Sequence, residues 1–133
     1  FSDWGVQLGR RFRALKLWFV LRSFGAENIR NTIRRHIEWG AMFESFVNKD
    51  PDFELLAPRT LNLVCFRYVR HSYSEKQLDE LNTGLLKKIN ASGEMYISHT
   101  RLNSKMALRF VASQTYTRKE HIENAWQTIK ACV

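Results

Sequence analysis

The sequence predicts an α+β fold, a two-layer domain in which four strands make one sheet with helices over one of its faces. Three observations lead there. Apolar residues recur at helical spacing in four stretches, and short segments between them switch to period-two alternation. The two kinds of segment run in the order helix, helix, strand, strand, helix, strand, strand, helix. With 133 residues, a 44% apolar share and nine Phe, four Trp and four Tyr, the chain has enough to bury for one compact core.

The first helix is expected from about Arg11 to Phe24. Phe12, Leu15 and Phe19 fall on one side of it and Leu17, Trp18 and Leu21 on another, so it is apolar nearly all round and suited to burial against other structure. Gly25 supplies its stop. Ile29, Ile33, Ile37, Gly40, Phe43 and Val47 then trace a long amphipathic helix that ends before Asp50-Pro51. Phe53 and Leu55 alternate with acids as a short extended segment. Leu61, Leu63 and Cys65 alternate with Asn62, Val64 and Phe66 as a strand buried on both sides. Ser74 and Gln77 have capping-box spacing, and Leu78, Leu81, Leu85 and Ile89 follow as a helical stripe that Asn90 to Gly93 close. Met95 to Thr100 and Met106 to Ser113 read as two more strands. Thr117 with Glu120 repeats the capping-box spacing before a last helix with the stripe Ile122, Ala125, Trp126 and Ile129.

The formal net charge is +8, and it is unevenly spread. Arg10, Arg11, Arg13, Lys16, Arg22, Arg30, Arg34 and Arg35 face only Asp3 and Glu27 in the same stretch. A basic α+β module that binds nucleic acid is therefore the rival reading. Phe12 and Trp18 between those cations imitate a base-stacking surface. The plainer account is that aromatics at helical spacing form core, with the arginines pairing acids across an interface. No apolar run reaches the ~20 residues of a membrane span, and nothing resembles a signal peptide. Phe1 opens the chain without Met, which reads as a fragment or a processed product. Cys65 and Cys132 are too few and too far apart for a disulfide framework, and Cys65 reads as inert core. His36, His71, His99 and His121 are scattered without metal-ligand spacing. A reducing cytoplasm, with no membrane and no metal, is the setting these features predict.

One block is far more specific than composition. Asp3-Trp4-Gly5-Val6-Gln7-Leu8-Gly9-Arg10-Arg11-Phe12-Arg13-Ala14-Leu15-Lys16-Leu17-Trp18-Phe19 closely resembles a segment of the group II pyridoxal-phosphate-dependent decarboxylases, the aromatic-amino-acid decarboxylase family. Ile33-Arg34-Arg35-His36, Phe43-Glu44-Ser45-Phe46-Val47, Asp50-Pro51-Asp52-Phe53-Glu54, Asn62-Leu63-Val64-Cys65-Phe66-Arg67, Leu108-Arg109-Phe110 and His121-Ile122-Glu123-Asn124-Ala125-Trp126 follow in the family's order. Gly5-Val6-Gln7 departs from the animal enzymes, which suggests a bacterial version. The resemblance covers essentially the whole chain but only the last part of the family's sequence.

The resemblance implies the C-terminal small domain of a fold-type I pyridoxal-phosphate enzyme, with a four-stranded, mainly antiparallel sheet. Residues 1–25 would lead in from a large cofactor-binding domain, and residues 26–133 would form the small domain. It implies decarboxylation of an aromatic amino acid by a homodimer, with pyridoxal 5'-phosphate as cofactor. None of the eight lysines sits in the family's cofactor-binding motif, so this chain alone is expected to hold no cofactor covalently and to be inactive. Gly9 matches a substrate-pocket position at which a missing side chain leaves room for a bulky ring. The competing role for Gly9 is a turn with positive φ before the helix. Leu8 would be an apolar wall, and Arg10 and Arg11 would lie near the cofactor or an interface. Arg109 matches a strand arginine facing the active site, suited to holding a substrate carboxylate. Its competing role is pairing with a protein carboxylate at the domain junction.

Overall fold

The computed structural model describes residues 12–133. The chain divides into two compact units, Phe1–Arg34 and Arg35–Val133.

In the first unit, helix α1 (Arg13–Phe24) ends at Gly25, whose φ of 73° turns the chain while its N–H caps the Leu21 carbonyl at 2.9 Å. Leu17, Trp18, Phe19 and Phe24 are each more than half exposed, although the apolar periodicity on every side of this helix suits it to burial. Helix α2 (Ala26–Lys49) starts in this unit, where Glu27 pairs with Arg30 and lies 3.6 Å from Arg34.

The second unit is built on a four-stranded antiparallel sheet of β1 (Phe53–Leu55), β2 (Leu63–Tyr68), β3 (Ser98–Leu102) and β4 (Lys105–Val111), in the order β1-β2-β4-β3. Helices α3 (Glu75–Ala91) and α4 (Lys119–Ala131) supply Leu85, Ile89, Ile122 and Ile129 to the core, and α2 supplies Phe43 and Val47. The predicted α+β architecture is the observed one. Phe43 lies at the centre. It stacks on Phe110 at 3.8 Å and meets Phe66 and Trp126 edge-on at 5.3 and 5.7 Å.

Four local expectations need correction, each for a packing reason. The β2 strand was expected from Leu61 but begins at Leu63. Leu61 instead takes a left-handed φ of 54° and is 64% exposed, in a tight turn closed by the Leu63 N–H on the Thr60 carbonyl at 3.0 Å. Helix α2 presses on that turn: a Cβ on Gly40 would come within 2.7 Å of the Asn62 Cα. β3 begins at Ser98, not Met95, because Asn90 binds both backbone groups of Ile97, at 2.9 and 3.0 Å. β4 stops at Val111, two residues short of Ser113, since the Ala112 carbonyl accepts from the Asn62 side chain at 2.7 Å. Thr117 does not cap α4. Its N–H closes a turn on Gln114, and the helix follows Arg118, whose N–H donates to His121 Nδ1 at 3.1 Å. The Ser74–Gln77 capping box of α3 forms as expected.

Gly84 offers a simple test of α3. A Cβ there meets nothing within 4 Å, and the residue sits in the helix interior. Gly84→Ala is therefore expected to stabilise the fold by about 0.5–1 kcal/mol, read as a higher urea midpoint; a lower midpoint would mean that the space is needed.

Candidate functional site

Strand alternation gives the sheet two different faces. Val64, Phe66, Tyr68, Met106, Leu108 and Phe110 all join the core cluster with the helices. The residues between them, Cys65 and Arg67 on β2 with Lys105, Ala107 and Arg109 on β4, point the other way and contribute nothing to that cluster. The register adds Glu54, opposite Arg67, and Ser98, opposite Arg109, to this second face. The candidate site lies here.

Arg67 is 3% exposed and carries the densest charge contacts on this face. Its guanidinium donates to Glu54 from Nε and to both carboxylate oxygens of Glu75, at 2.7 and 3.2 Å. Lys105 approaches Glu75 at 3.7 Å. The Arg67 hydrogen bonds hold the Glu75 carboxyl below its ordinary value of 4.5. A carboxyl depressed in the folded state adds stability above its unfolded pKa, and that contribution is lost as pH falls through the folded value. Arg67→Met is thus expected to shift the acid-unfolding midpoint upward. Circular dichroism against pH reads it, and an unmoved midpoint would mean the pairing contributes nothing to acid stability.

Arg109 contrasts with this. It is half-buried, and among the described residues it makes no ion pair and no side-chain hydrogen bond. Its direct neighbour across β2 is Cys65. Burial pushes the Cys65 thiol up, and the Arg109 charge opposes that rise. Cys65 is a buried thiol, but it lies on the second sheet face and outside the main core cluster. What the arrangement offers chemically is a half-buried cation on a polar sheet face, suited to a carboxylate.

Leu8, Gly9, Arg10 and Arg11 lie outside the described residues, so Arg109 is the predicted site residue with a described position. The Glu54–Arg67–Glu75 network was not anticipated. Its members are 13 and 8 positions apart in sequence, and only the β1–β2 register and the start of α3 bring them together. The clefts lined by Phe46, Asp50 and Trp126, or by Tyr68, Lys88 and Cys132, do not include Arg109.

The nucleic-acid reading weakens on the ion pairs. Arg59 binds Glu44 at 2.8 Å, Arg101 binds Asp79 at 2.9 Å and Lys130 binds Asp50 at 2.6 Å, so much of the formal positive charge is answered within the protein. None of the helices among the described residues is long and apolar enough to cross a membrane.

Comparison with known proteins points in one direction. Residues 1–69 match the model of the pyridoxal-dependent decarboxylase conserved domain. The chain is 45% identical over 130 residues to tyrosine decarboxylase 2 of Arabidopsis thaliana, covering 98% of this chain and 24% of that protein. It is 46% identical over 131 residues to a tryptophan decarboxylase of Camptotheca acuminata, covering 98% of this chain and 26% of that protein. The chain thus spans about a quarter of the length of the curated relatives it matches. The crystal structure of Catharanthus roseus tryptophan decarboxylase in complex with L-tryptophan superposes with a TM-score of 0.86 at 36% identity, over 99% of this chain and 27% of that one. That of Oryza sativa TDC with PLP and tryptamine gives 0.89 at 34% identity, over 99% and 29%.

Proposed function

Because this chain belongs to the pyridoxal-dependent decarboxylase family, we propose that it is the C-terminal part of an L-amino-acid decarboxylase acting on aromatic substrates. The observation that carries the reading is Arg109, a half-buried cation on the sheet face turned from the core cluster, with no ion pair among the described residues. The tyrosine and tryptophan decarboxylases among its relatives support an aromatic substrate.

When bound, pyridoxal 5'-phosphate supplies the electron sink for the bonding pair left behind as the carboxylate departs as CO2. The described residues do not by themselves fit around that cofactor. The sheet face that carries Arg109 offers Lys105 as its lysine, and Lys105 is turned toward Glu75. In this reading the cofactor's anchors belong to the rest of a longer polypeptide. The part played here is orientation. Arg109 grips the substrate carboxylate with paired, charge-assisted hydrogen bonds and holds the scissile bond in its reactive direction.

Gly9 and Leu8 keep their proposed roles as room and wall for the aromatic ring, and Arg10 and Arg11 as residues near an interface or the cofactor. A homodimer in the cytoplasm completes the proposal. The exposed Leu17, Trp18, Phe19 and Phe24 support a covering partner surface for α1, and the two free cysteines support a reducing compartment.

The test uses the full-length polypeptide that carries this chain, supplied with pyridoxal phosphate and L-tyrosine or L-tryptophan, with CO2 and amine measured. Decarboxylation is expected. Arg109→Gln should lower kcat/KM about 100-fold, as expected for about 3 kcal/mol of charge-assisted hydrogen bonding. Affinity for the amine product, which has no carboxylate, should be unchanged. Equal losses for amino acid and amine would overturn the carboxylate role.

A further inference from the structure

The sheet has an open edge. β3 ends the strand order, and no strand lies beyond it among the described residues. Asn103 and Ser104, which make the β3–β4 turn, have φ of 49° and 66°, as a tight type I′ hairpin requires. Leu102 and Lys105 flank that turn as a hydrogen-bonded pair, and by alternation so do Thr100 with Ala107 and Ser98 with Arg109. His99 and Arg101 fall between them. Their N–H and C=O groups therefore point outward, away from β4, where another strand can meet them.

The side chains of these two residues turn to the opposite sheet face from Arg109, toward α3, where Arg101 binds Asp79 at 2.9 Å. With Thr83, Leu86 and Lys87 of α3 and Met106 of β4, they line a cavity of about 410 Å³ beside the open edge. Leu86 and Met106 give it an apolar floor, and Lys87, His99 and Arg101 give it a basic rim. No acid lines it. Lys87 and His99 make no ion pair and no side-chain hydrogen bond among the described residues. The adjoining hollow on α3 adds Lys76, Asp79 and Glu80. Asp79 is already used, by Arg101 and by the Met106 N–H at 2.8 Å, so Glu80 is its one uncommitted acid.

We propose that the β3 edge and this cavity form a docking groove for an extended acidic peptide segment of a partner protein. The segment adds as a further strand, hydrogen-bonded to the outward backbone groups of His99 and Arg101. Strand alternation sends every second side chain of the segment toward α3. An apolar member of that set fills the space over Leu86 and Met106, and an acid two positions away meets the basic rim. Main-chain bonding holds the segment, and the rim selects its charge. A second copy of this chain fits less well. Antiparallel pairing of two β3 strands sets the basic side chains of one against those of the other, and like charges across a strand pair repel.

The experiment uses the full-length polypeptide loaded with pyridoxal phosphate and a fluorescein-labelled peptide, Glu-Thr-Leu-Thr-Glu, titrated by fluorescence anisotropy. Saturable binding is expected, with slowed amide hydrogen exchange over Ser98–Leu102. The neutral analogue Gln-Thr-Leu-Thr-Gln should bind about fivefold more weakly, the scale of partly exposed ion pairs. Lys87→Glu should weaken the acidic peptide by a similar factor. His99→Pro removes one outward N–H while sparing the ladder to β4, and should weaken both peptides about fivefold. If that variant does not fold, Lys87→Glu, at an exposed helix position, still decides. Decarboxylation rates should be unchanged in both, because the groove lies on the face opposite Arg109. Equal affinity for the acidic and neutral peptides, no loss in Lys87→Glu, or binding without protection of Ser98–Leu102 overturns the proposal. Absence of binding overturns it too. Self-association that His99→Pro abolishes would assign the edge to a second copy, which also overturns it.

Discussion

Phe43→Ala is expected to destabilise the fold by about 3–5 kcal/mol, the usual cost of emptying an aromatic site in a close-packed core. Phe43 is fully buried and touches three rings at once, with Phe110 stacked beneath it at 3.8 Å. Those rings come from β2, β4 and α4, so a cavity here loosens helix-to-sheet packing in several directions. Neighbouring aromatic side chains have little freedom to collapse into the space, which puts the cost toward the upper end of the range. Urea denaturation measures it. A loss below about 1 kcal/mol would mean the core relaxes around the gap, and that the ring stack is not what ties α2 to the sheet.

Asn82→Leu is the second large effect, expected at about 2–4 kcal/mol. Asn82 is wholly buried, yet it is polar and fully used. Its carbonyl accepts the Tyr68 N–H, and its amide donates to the carbonyls of Tyr68 and Leu78, each at 2.8 Å. Leucine has nearly the same shape but leaves the Tyr68 N–H and C=O at the end of β2 without those partners. Each unsatisfied buried group costs about 1–3 kcal/mol, and the added apolar contact offsets only part of that. Asn82→Asp is a useful comparison, since it keeps an acceptor for the Tyr68 N–H but removes both donors. Urea midpoints with unchanged m-values should rank wild type above both variants; a leucine variant as stable as wild type would mean that water or a rearranged loop supplies the missing bonds.

The elements with strong local signals were legible in advance. Ser74 and Gln77 form the box that their spacing implies, and the stripe Gly40, Phe43, Val47 is the buried face of α2. Two of the errors fall where an asparagine outside the strand captures its backbone. Asn62 takes the Ala112 carbonyl and shortens β4, and Asn90 takes both polar groups of Ile97 and delays β3. Period-two alternation cannot register such captures, because it counts apolar residues and not where each N–H and C=O is satisfied. Leu61 misled for a related reason: an apolar residue in phase with a strand stands exposed, in a left-handed conformation, because the turn needs that backbone.

For the site, the resemblance reached further than the periodicity. Nothing in the spacing of Leu108-Arg109-Phe110 separates a substrate-binding arginine from a structural one. The contrast between Arg109 and Arg67 appears only when the register places both on one face and the acids beside just one of them.

The most direct test of the central claim is a crystal structure of the full-length polypeptide with pyridoxal phosphate and a slowly reacting aromatic L-amino-acid analogue. The account predicts the Arg109 guanidinium within hydrogen-bond distance of the analogue's carboxylate, with Arg67 still held by Glu54 and Glu75. Arg109 bound instead to a protein carboxylate, with the analogue's carboxylate held elsewhere, would contradict it.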